Sequence, residues 1–145
     1  MSIEIRSWSE ADVAEVAKIE RECFSDPWTE EMLYQEVRRL DFFGLILQSG
    51  EEKLAYVCGT LLFEDAELPR IAVRAEYRGK GFGGKLLDAF IEEVKTRGGE
   101  RIFLEVRTSN ESALGLYQSR GFETLRVRKK YYSNGEDAFE MRKTL

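Results

Sequence analysis

The feature that most constrains the fold of this chain is a glycine-rich segment directly in front of a helical pattern. The segment Arg78-Gly79-Lys80-Gly81-Phe82-Gly83-Gly84 has four glycines in seven residues, so its backbone can turn tightly and approach a ligand closely. The preceding Ile71-Ala72-Val73 is typical of a strand end, and the apolar spacing from Lys85 onward predicts a helix. Amide N–H groups at a helix N-terminus bind phosphate readily. Strand, glycine loop and helix in this order predict a site for a phosphorylated ligand.

Two familiar phosphate-binding templates do not fit this loop. The nucleotide-triphosphatase loop ends in Gly-Lys-Ser or Gly-Lys-Thr, whereas Gly84-Lys85 is followed here by Leu86. The dinucleotide fingerprint belongs to the first βα turn of a domain, but this loop lies in mid-chain, after a predicted antiparallel meander. A tight turn without a ligand, where a helix packs on a strand, remains the structural alternative at this point.

Composition limits the class of protein. The 145 residues, 43% hydrophobic and 34% charged, fit one globular domain that spans residues 1–145. A formal net charge of −5 argues against general nucleic-acid binding, which needs a basic surplus. No apolar run reaches the roughly 18 residues of a membrane span, and Met-Ser-Ile-Glu-Ile at the start lacks signal-peptide features. We expect a cytoplasmic protein that does not enter a membrane.

The chain has no histidine, and this narrows its chemistry. The commonest general base is absent and a zinc site is disfavoured, so we expect no metal. Cys23 and Cys58 lie far apart among apolar neighbours, which predicts reduced core thiols. A carboxylate is then the available base for any proton transfer.

Hydrophobic periodicity predicts a mixed α/β domain around a twisted central sheet. The predicted strands span residues 2–8, 42–48, 53–63, 67–73, 101–107, 122–132 and 137–143. The predicted helices follow Ser9, run from Thr29 to about Leu40, and span residues 85–97 and 110–119. Pro69 lacks a backbone donor, so it predicts an edge or a bulge in its strand.

Several segments together resemble a known enzyme family. The Arg-x-x-Gly-x-Gly pattern of residues 78–83 resembles the acetyl-CoA signature of the GNAT superfamily of N-acetyltransferases. Residues 104–110, 113–117 and 121–122 resemble the bacterial ribosomal-protein-alanine N-acetyltransferases, the RimI group, as do residues 24–29 and 128–132. The resemblance covers nearly the whole chain. It departs at Arg74-Ala75, where the family usually has an acidic residue and a proline.

The resemblance implies a single GNAT-type domain with a mostly antiparallel sheet and about four helices. It also implies acetyl-CoA as the co-substrate, with direct attack of an amine on the thioester. The loop amides would hold the CoA pyrophosphate, and backbone groups of the preceding strand end would contact the pantetheine arm. The cofactor-binding residues implied are Ile71, Ala72, Val73, Arg78, Gly79, Lys80, Gly81, Phe82, Gly83, Gly84 and Asn110.

Two residues are implied to be catalytic. Glu105, in the middle of an apolar strand, would act as general base, directly or through water, with its pKa raised by partial burial. The alternative is a surface ion pair with Arg107. Tyr117 would protonate the departing thiolate, and its alternative is a core aromatic that packs with Leu114. Asn110 has the alternative role of helix N-cap, which is compatible with a CoA contact.

The acceptor is implied to be a protein N-terminus, with an N-terminal alanine of a ribosomal protein as the family-typical case. Trp28 and Tyr132 are the predicted substrate-binding residues, with the alternative that each is a packing aromatic. Tyr131 is predicted to pack on the other face of its strand. Two other functions stay open: acetylation of lysine side chains or small-molecule amines, and a non-catalytic acyl-CoA-binding module on the same fold.

Overall fold

Seven strands join into one mixed sheet in the computed structural model, which describes residues 2–145. The strands are Glu4–Ser7 (β1), Phe42–Ser49 (β2), Glu52–Leu62 (β3), Asp65–Val73 (β4), Arg101–Arg107 (β5), Glu123–Arg128 (β6) and Ala138–Thr144 (β7). The helices are Val13–Cys23 (α1), Glu30–Val37 (α2), Phe82–Thr96 (α3) and Glu111–Ser119 (α4). The spatial order is β1-β2-β3-β4-β5-β7-β6, in which β4 and β5 run parallel and the other neighbours antiparallel. The predicted α/β class, mostly antiparallel sheet and four helices are confirmed.

The sheet separates two hydrophobic clusters. The larger cluster packs α3 and Tyr117 of α4 against one face, with Leu86, Phe90 and Leu104 completely or almost completely buried. The smaller cluster packs α1 and α2 against the opposite face around Tyr56 of β3. Because neighbouring residues of a strand point to opposite faces, each strand residue faces one of these two sides.

Local signals set the helix starts. The Ser9 amide donates to the Asp12 Oδ2 at 3.0 Å in a short 3₁₀ turn before α1, and Thr29 Oγ1 accepts from the Met32 amide at the start of α2. α2 ends at Val37, earlier than the predicted Leu40, which is fully exposed and contributes nothing to an apolar face. α3 begins at Phe82, three residues before the predicted start at Lys85.

β4 and β5 diverge, and the divergence creates a cleft. They pair only over Asp65–Glu67 of β4, opposite residues 101–103 of β5. Just beyond, the β3–β4 register shifts between the pairs Cys58–Arg70 and Thr60–Glu67. Two β4 residues, one of them Pro69, lie there opposite a single β3 residue, which is a bulge. The bulge predicted at Pro69 is confirmed, and it bends the end of β4 away from β5.

The sixth strand is shorter than predicted. It was expected to run to Tyr132 but ends at Arg128, because Lys130 adopts a φ of 50° and donates its amide to Asp137 Oδ1 at 2.9 Å. Tyr131 and Tyr132 therefore lie in the β6–β7 loop. The prediction that Tyr131 packs on the opposite strand face is wrong: it is 47% exposed, and its ring meets that of Tyr132 edge-on.

Candidate active site

The glycine loop forms an open cradle of backbone amides at the start of α3. Gly79 and Gly81 have φ values of 77° and 83°, a region that L-residues rarely adopt, and nothing lies within 4 Å of the position of a Cβ at either glycine. The first helical hydrogen bond runs from the Lys85 amide to the Gly81 carbonyl, so the amides of the first turn have no helical acceptor. No acidic residue lies in that turn. The loop is suited to an anion such as a pyrophosphate.

Backbone groups of the β4 end face the cleft. The Arg74 amide donates to the Leu54 carbonyl of β3 at 2.9 Å. Hydrogen-bonded pairs recur at every second residue of an antiparallel ladder. Ala72, two residues before Arg74, therefore also directs its backbone towards β3, where it lies opposite Tyr56. Ile71 and Val73 direct theirs to the side where β5 has diverged. Of the three predicted contacts to the pantetheine arm, the geometry thus suits Ile71 and Val73 and not Ala72.

Two side chains already occupy the carbonyl of Val73. It accepts a hydrogen bond from Arg78 Nε at 2.8 Å and one from the Cys23 thiol at 3.3 Å. The amide of Val73 and both backbone groups of Ile71 remain for a ligand in the cleft. The hydrogen bond from Arg78 to Val73 connects the glycine loop to the strand end that precedes it.

Glu105 lies on the open face of β5, where it lines a cavity of about 270 Å³. Its side chain is 29% exposed, and its nearest cation is Arg128, with 3.9 Å between Glu105 Oε1 and Arg128 Nε. The alternative of an ion pair with Arg107 is not what the structure has, because Arg107 pairs with Glu136. The other residues that line the cavity are Asp65, Glu67, Phe103 and Glu140.

The hydrogen bonds of Arg128 go to a neighbouring carboxylate, Glu140, and not to Glu105. Glu140 Oε2 accepts from Arg128 Nη2 at 2.8 Å and Nε at 3.2 Å, and Glu140 also pairs with Arg126. These hydrogen bonds lower the pKa of Glu140. Burial raises the pKa of Glu105, with a smaller opposing effect of Arg128. The two carboxylates therefore have pKa values shifted in opposite directions, a pattern typical of acid–base sites.

Tyr117 is buried beside Phe122 on the α3 side of the sheet, with 5.6 Å between the ring centroids. Burial raises the pKa of its phenol, so the group stays protonated at neutral pH. Glu105 points to the opposite face of β5. The two residues thus lie on different sides of the strand that borders the cleft.

Asn110 is the N-cap of α4. Its side-chain Oδ1 accepts from the Ala113 amide at 3.1 Å, which confirms the N-cap role given as the alternative. The side-chain NH₂ group can still donate to a ligand.

The predicted substrate residues lie in two separate loops, one between α1 and α2 and the other between β6 and β7. Trp28 is half-buried in the segment between α1 and α2, and its amide donates to Glu20 Oε1 at 2.8 Å. Tyr132 stacks under the guanidinium of Arg107 at 4.0 Å. Burial raises the pKa of Tyr132 to about 12, against the charges of Arg107 and, more weakly, Arg70, which lower it. Arg70 also contacts the other loop, because its guanidinium lies 4.9 Å from the centroid of the Trp28 ring.

Known proteins match both this sequence and this fold. The sequence model of the acetyltransferase (GNAT) family matches residues 13–122. The chain is a member of the GNAT acetyltransferase family. The [ribosomal protein bS18]-alanine N-acetyltransferase of Escherichia coli strain K12 is 34% identical over 142 residues, covering 94% of each chain. The N-alpha-acetyltransferase RimI of Mycobacterium tuberculosis is 32% identical, over 97% of this chain and 92% of its own length.

A solved structure supports the same assignment. The crystal structure of the ribosomal-protein-S18-alanine N-acetyltransferase from Escherichia coli superimposes with a TM-score of 0.93 at 30% identity, over 99% of this chain and 94% of that one. GNAT acetyltransferases use acetyl-CoA as their co-substrate. The open amide cradle at residues 78–84 and the free backbone groups of Ile71 and Val73 fit the pyrophosphate and the amide-bearing arm of that molecule.

Sequence analysis missed two arginines of this GNAT site. Arg128 was included only as part of the resembling segment 128–132, but it lines the Glu105 cavity with Glu140. Arg70 was not singled out, although it contacts both Phe24 and Trp28. No local pattern identifies either residue, because their partners lie far away in the sequence.

The remaining expectations concern cysteines, metals and membranes. Cys58 is buried, Cys23 is half-buried, and both are free thiols. Within residues 2–145 no group of three or more histidine, cysteine, aspartate or glutamate side chains is arranged to hold a metal ion. None of the helices in that range has the length and apolar composition needed to cross a bilayer.

Proposed function

We propose that the protein transfers the acetyl group of acetyl-CoA to the N-terminal amine of a protein, and that the acceptor is the N-terminal alanine of a ribosomal protein. The observation that carries this proposal is the half-buried, weakly paired Glu105 carboxylate beside the β4–β5 cleft. Relatives of similar length, named as enzymes that act on the alanine of ribosomal protein bS18, support the choice of acceptor. With such an acceptor, the activity would take place in the cytoplasm.

The acidity of the acceptor amine favours an N-terminus. With a pKa near 7.7–8.0, roughly 10–15% of N-terminal amines are neutral at pH 7, whereas a lysine with a pKa of about 10.4 is neutral about once in 2,500 molecules. A carboxylate with a moderately raised pKa is a strong enough base to take a proton from an N-terminal amine. Glu105 therefore suits an N-terminal amine better than a lysine.

Glu105 and Tyr117 would carry out the two proton transfers of the reaction. Glu105 would take a proton from the amine, directly or through water, as the amine nitrogen bonds to the thioester carbonyl carbon. The amides of Ile71 and Val73 face the cleft and would stabilise the carbonyl oxygen as it gains negative charge. When the carbon–sulfur bond breaks, the sulfur leaves with the electron pair, and the Tyr117 hydroxyl would supply its proton. Glu105 faces one side of β5, and Tyr117 of α4 lies on the other side. The two proton transfers would therefore take place on opposite sides of this strand.

The remaining predicted residues would bind the two substrates. The amides and side chains of residues 78–84, with Asn110, would hold the CoA portion. Trp28 and Tyr132 would flank the acceptor from their two loops.

Peptide acetylation tests the proposal. The protein is incubated with acetyl-CoA and two peptide sets, one with a free N-terminal alanine and dimethylated lysines, the other with a blocked N-terminus and a free internal lysine. We expect mass spectrometry to show acetylation in the first set only. Preference for the second set would replace the proposal with lysine acetylation, and binding of acetyl-CoA without turnover of any amine would indicate the non-catalytic module.

A further inference from the structure

The irregular segment between α1 and α2, residues 24–29, is held in place by a fully buried carboxylate. Glu20 of α1 has no exposed surface. Its Oε1 accepts from the Trp28 amide at 2.8 Å, and its Oε2 accepts from the hydroxyl of Tyr56 in β3. A buried carboxylate is retained only when it is paired and hydrogen-bonded. Glu20 therefore fixes the backbone at Trp28 to the underlying sheet.

Arg70 supplies the countercharge and continues the connection. Its Nε lies 3.4 Å from Glu20 Oε1, and its side chain is only 18% exposed. Its Nη2 donates to the Asp26 carbonyl at 2.9 Å. Its guanidinium also lies over two rings, 4.1 Å from the centroid of Phe24 and 4.9 Å from that of Trp28. One side chain thus contacts the segment at three residues.

The same arginine belongs to the strand that borders the cleft. Arg70 directly follows the bulge at Pro69 and directly precedes Ile71, whose backbone faces the proposed acetyl-CoA arm. Without the extra residue of the bulge, the alternation of β4 would place Arg70 on the α3 side, with Leu68. With the bulge, it faces α1 together with Ala72. The bulge therefore both opens the cleft and directs Arg70 towards Trp28.

We propose that Arg70, held by Glu20, is a positioning residue that fixes Trp28 and residues 24–29 relative to the acetyl-CoA-binding end of β4, and so determines affinity for the acceptor. This inference rests on the proposed function, because it takes residues 24–29 as one wall of the acceptor site. A lysine cannot take over this role, since an ammonium group does not stack between two rings while donating along its edge.

Steady-state kinetics with an N-terminal alanine peptide test the role. In Arg70→Met and Arg70→Lys we expect the acceptor KM to rise about tenfold, from loss of the stacked guanidinium, and the Kd for acetyl-CoA by calorimetry to stay within about twofold of the parent. Arg97→Met is the matched control. Arg97 also lies over an aromatic ring, Phe43 at 4.8 Å, and pairs with a glutamate, Glu93, but it caps the distant end of α3. We expect its kinetic constants to equal those of the parent.

Removal of Arg70 alone leaves Glu20 as an unpaired buried charge, which can prevent folding. The double variant Glu20→Gln/Arg70→Met removes both charges, and we expect it to show the same selective rise in acceptor KM. An unchanged acceptor KM in a folded variant would overturn the proposal. So would a rise in the acetyl-CoA Kd equal to that in acceptor KM, because that result indicates a general disturbance of β4.

Tryptophan fluorescence gives a readout that does not depend on catalysis. The chain has two tryptophans, of which Trp8 is buried and Trp28 half-buried. The difference between each protein and its Trp28→Phe counterpart isolates the Trp28 signal. We expect acrylamide to quench Trp28 more strongly in Arg70→Lys than in the parent, and equal quenching would overturn the positioning role. If the parent acetylates no N-terminal peptide, the proposed function fails, but the quenching result still decides whether Arg70 positions Trp28.

Discussion

The proposed donor side and the proposed acceptor side of the cleft are built in different ways. On the donor side, residues 71–84 are contiguous and offer mainly backbone groups: the strand end, the glycine loop and the first turn of α3. On the acceptor side, side chains converge from four places, namely Trp28 before α2, Arg70 on β4, Glu105 on β5 and Tyr132 in the β6–β7 loop. One side depends on local conformation, and the other depends on how distant elements pack.

This difference has a consequence for specificity. A backbone cradle recognises a ligand that is the same in every reaction, and few of its side chains need to be particular residues. Side chains from separate elements can change independently of one another, so the acceptor can differ between proteins that share the donor site. Mutations on the two sides should therefore affect different kinetic constants.

The largest effect is expected from Glu105→Gln on the acceptor side. Removal of a general base typically lowers the rate by about 10²–10⁴-fold, and we expect at least the lower figure in kcat/KM for the peptide. The Kd for acetyl-CoA should stay unchanged, because Glu105 lies on the opposite face of β5 from the α3 side. Stopped assays across pH 6–9, with calorimetry for acetyl-CoA, provide the measurement.

Glu67→Gln is the matched control for this substitution. Glu67 is also a glutamate that lines this cavity, and its charge contributes to the raised pKa of Glu105, but it sits where β4 still pairs with β5. We expect it to lower the rate by less than about tenfold, since loss of a base has the larger cost. A greater loss in Glu67→Gln than in Glu105→Gln would transfer the role of base to Glu67.

The fold could be predicted from the sequence wherever the signal is local. The spacing of apolar residues gave the helices, Pro69 indicated the bulge, and β5 was predicted with its observed limits, Arg101–Arg107. The end of β6 could not be predicted. Lys130 takes a left-handed conformation because its amide binds Asp137 across the loop, and residues 129–132 alone resemble the continuation of a strand.

The residues proposed for the donor site could be named from the sequence because they are contiguous. Ala72 is the exception, because only the ladder with β3 determines which residues of a strand direct their backbone towards the cleft. On the acceptor side, the resemblance indicated Glu105, Trp28 and Tyr132. The residues that tune them, Arg70 and Glu140, act through partners 50 and 35 positions away, at Glu20 and Glu105, and no local pattern reveals such partners.

A smaller effect is expected from Gly81→Val on the donor side. Gly81 has a φ of 83°, and no protein atom lies within 4 Å of the position of a Cβ. A Cβ at this position therefore meets no protein atom, but a β-branched residue is disfavoured in the left-handed region by about 1–2 kcal/mol. We expect calorimetry to show acetyl-CoA binding weakened by about tenfold, while the peptide KM at saturating acetyl-CoA stays the same.

Gly50→Val separates backbone strain from ligand binding. Gly50 has a φ of 59° and equally open surroundings, but it lies in the β2–β3 turn, away from the cleft. Both variants should lower the midpoint of thermal unfolding by a similar amount. If Gly50→Val weakened acetyl-CoA binding as much as Gly81→Val, the effect would be one of stability, and the glycine loop would lose its assignment as the donor site.

The smallest effect, expected from Glu140→Gln, tests how the acceptor side is tuned. Glu140 raises the pKa of Glu105 by its own charge and holds Arg128, which lowers that pKa, in hydrogen bonds of its own. Removal of its charge should lower the pKa of Glu105 through both effects. A general base is active above its pKa, so the acidic limb of the pH–rate profile should move to lower pH. The rate above that limb should stay unchanged.

Glu123→Gln, at an exposed glutamate of the same hairpin, should leave the pH–rate profile in place. An acidic limb that stayed still or moved to higher pH in Glu140→Gln would mean that Glu105 does not set it, and the tuning would then belong to another group on the acceptor side.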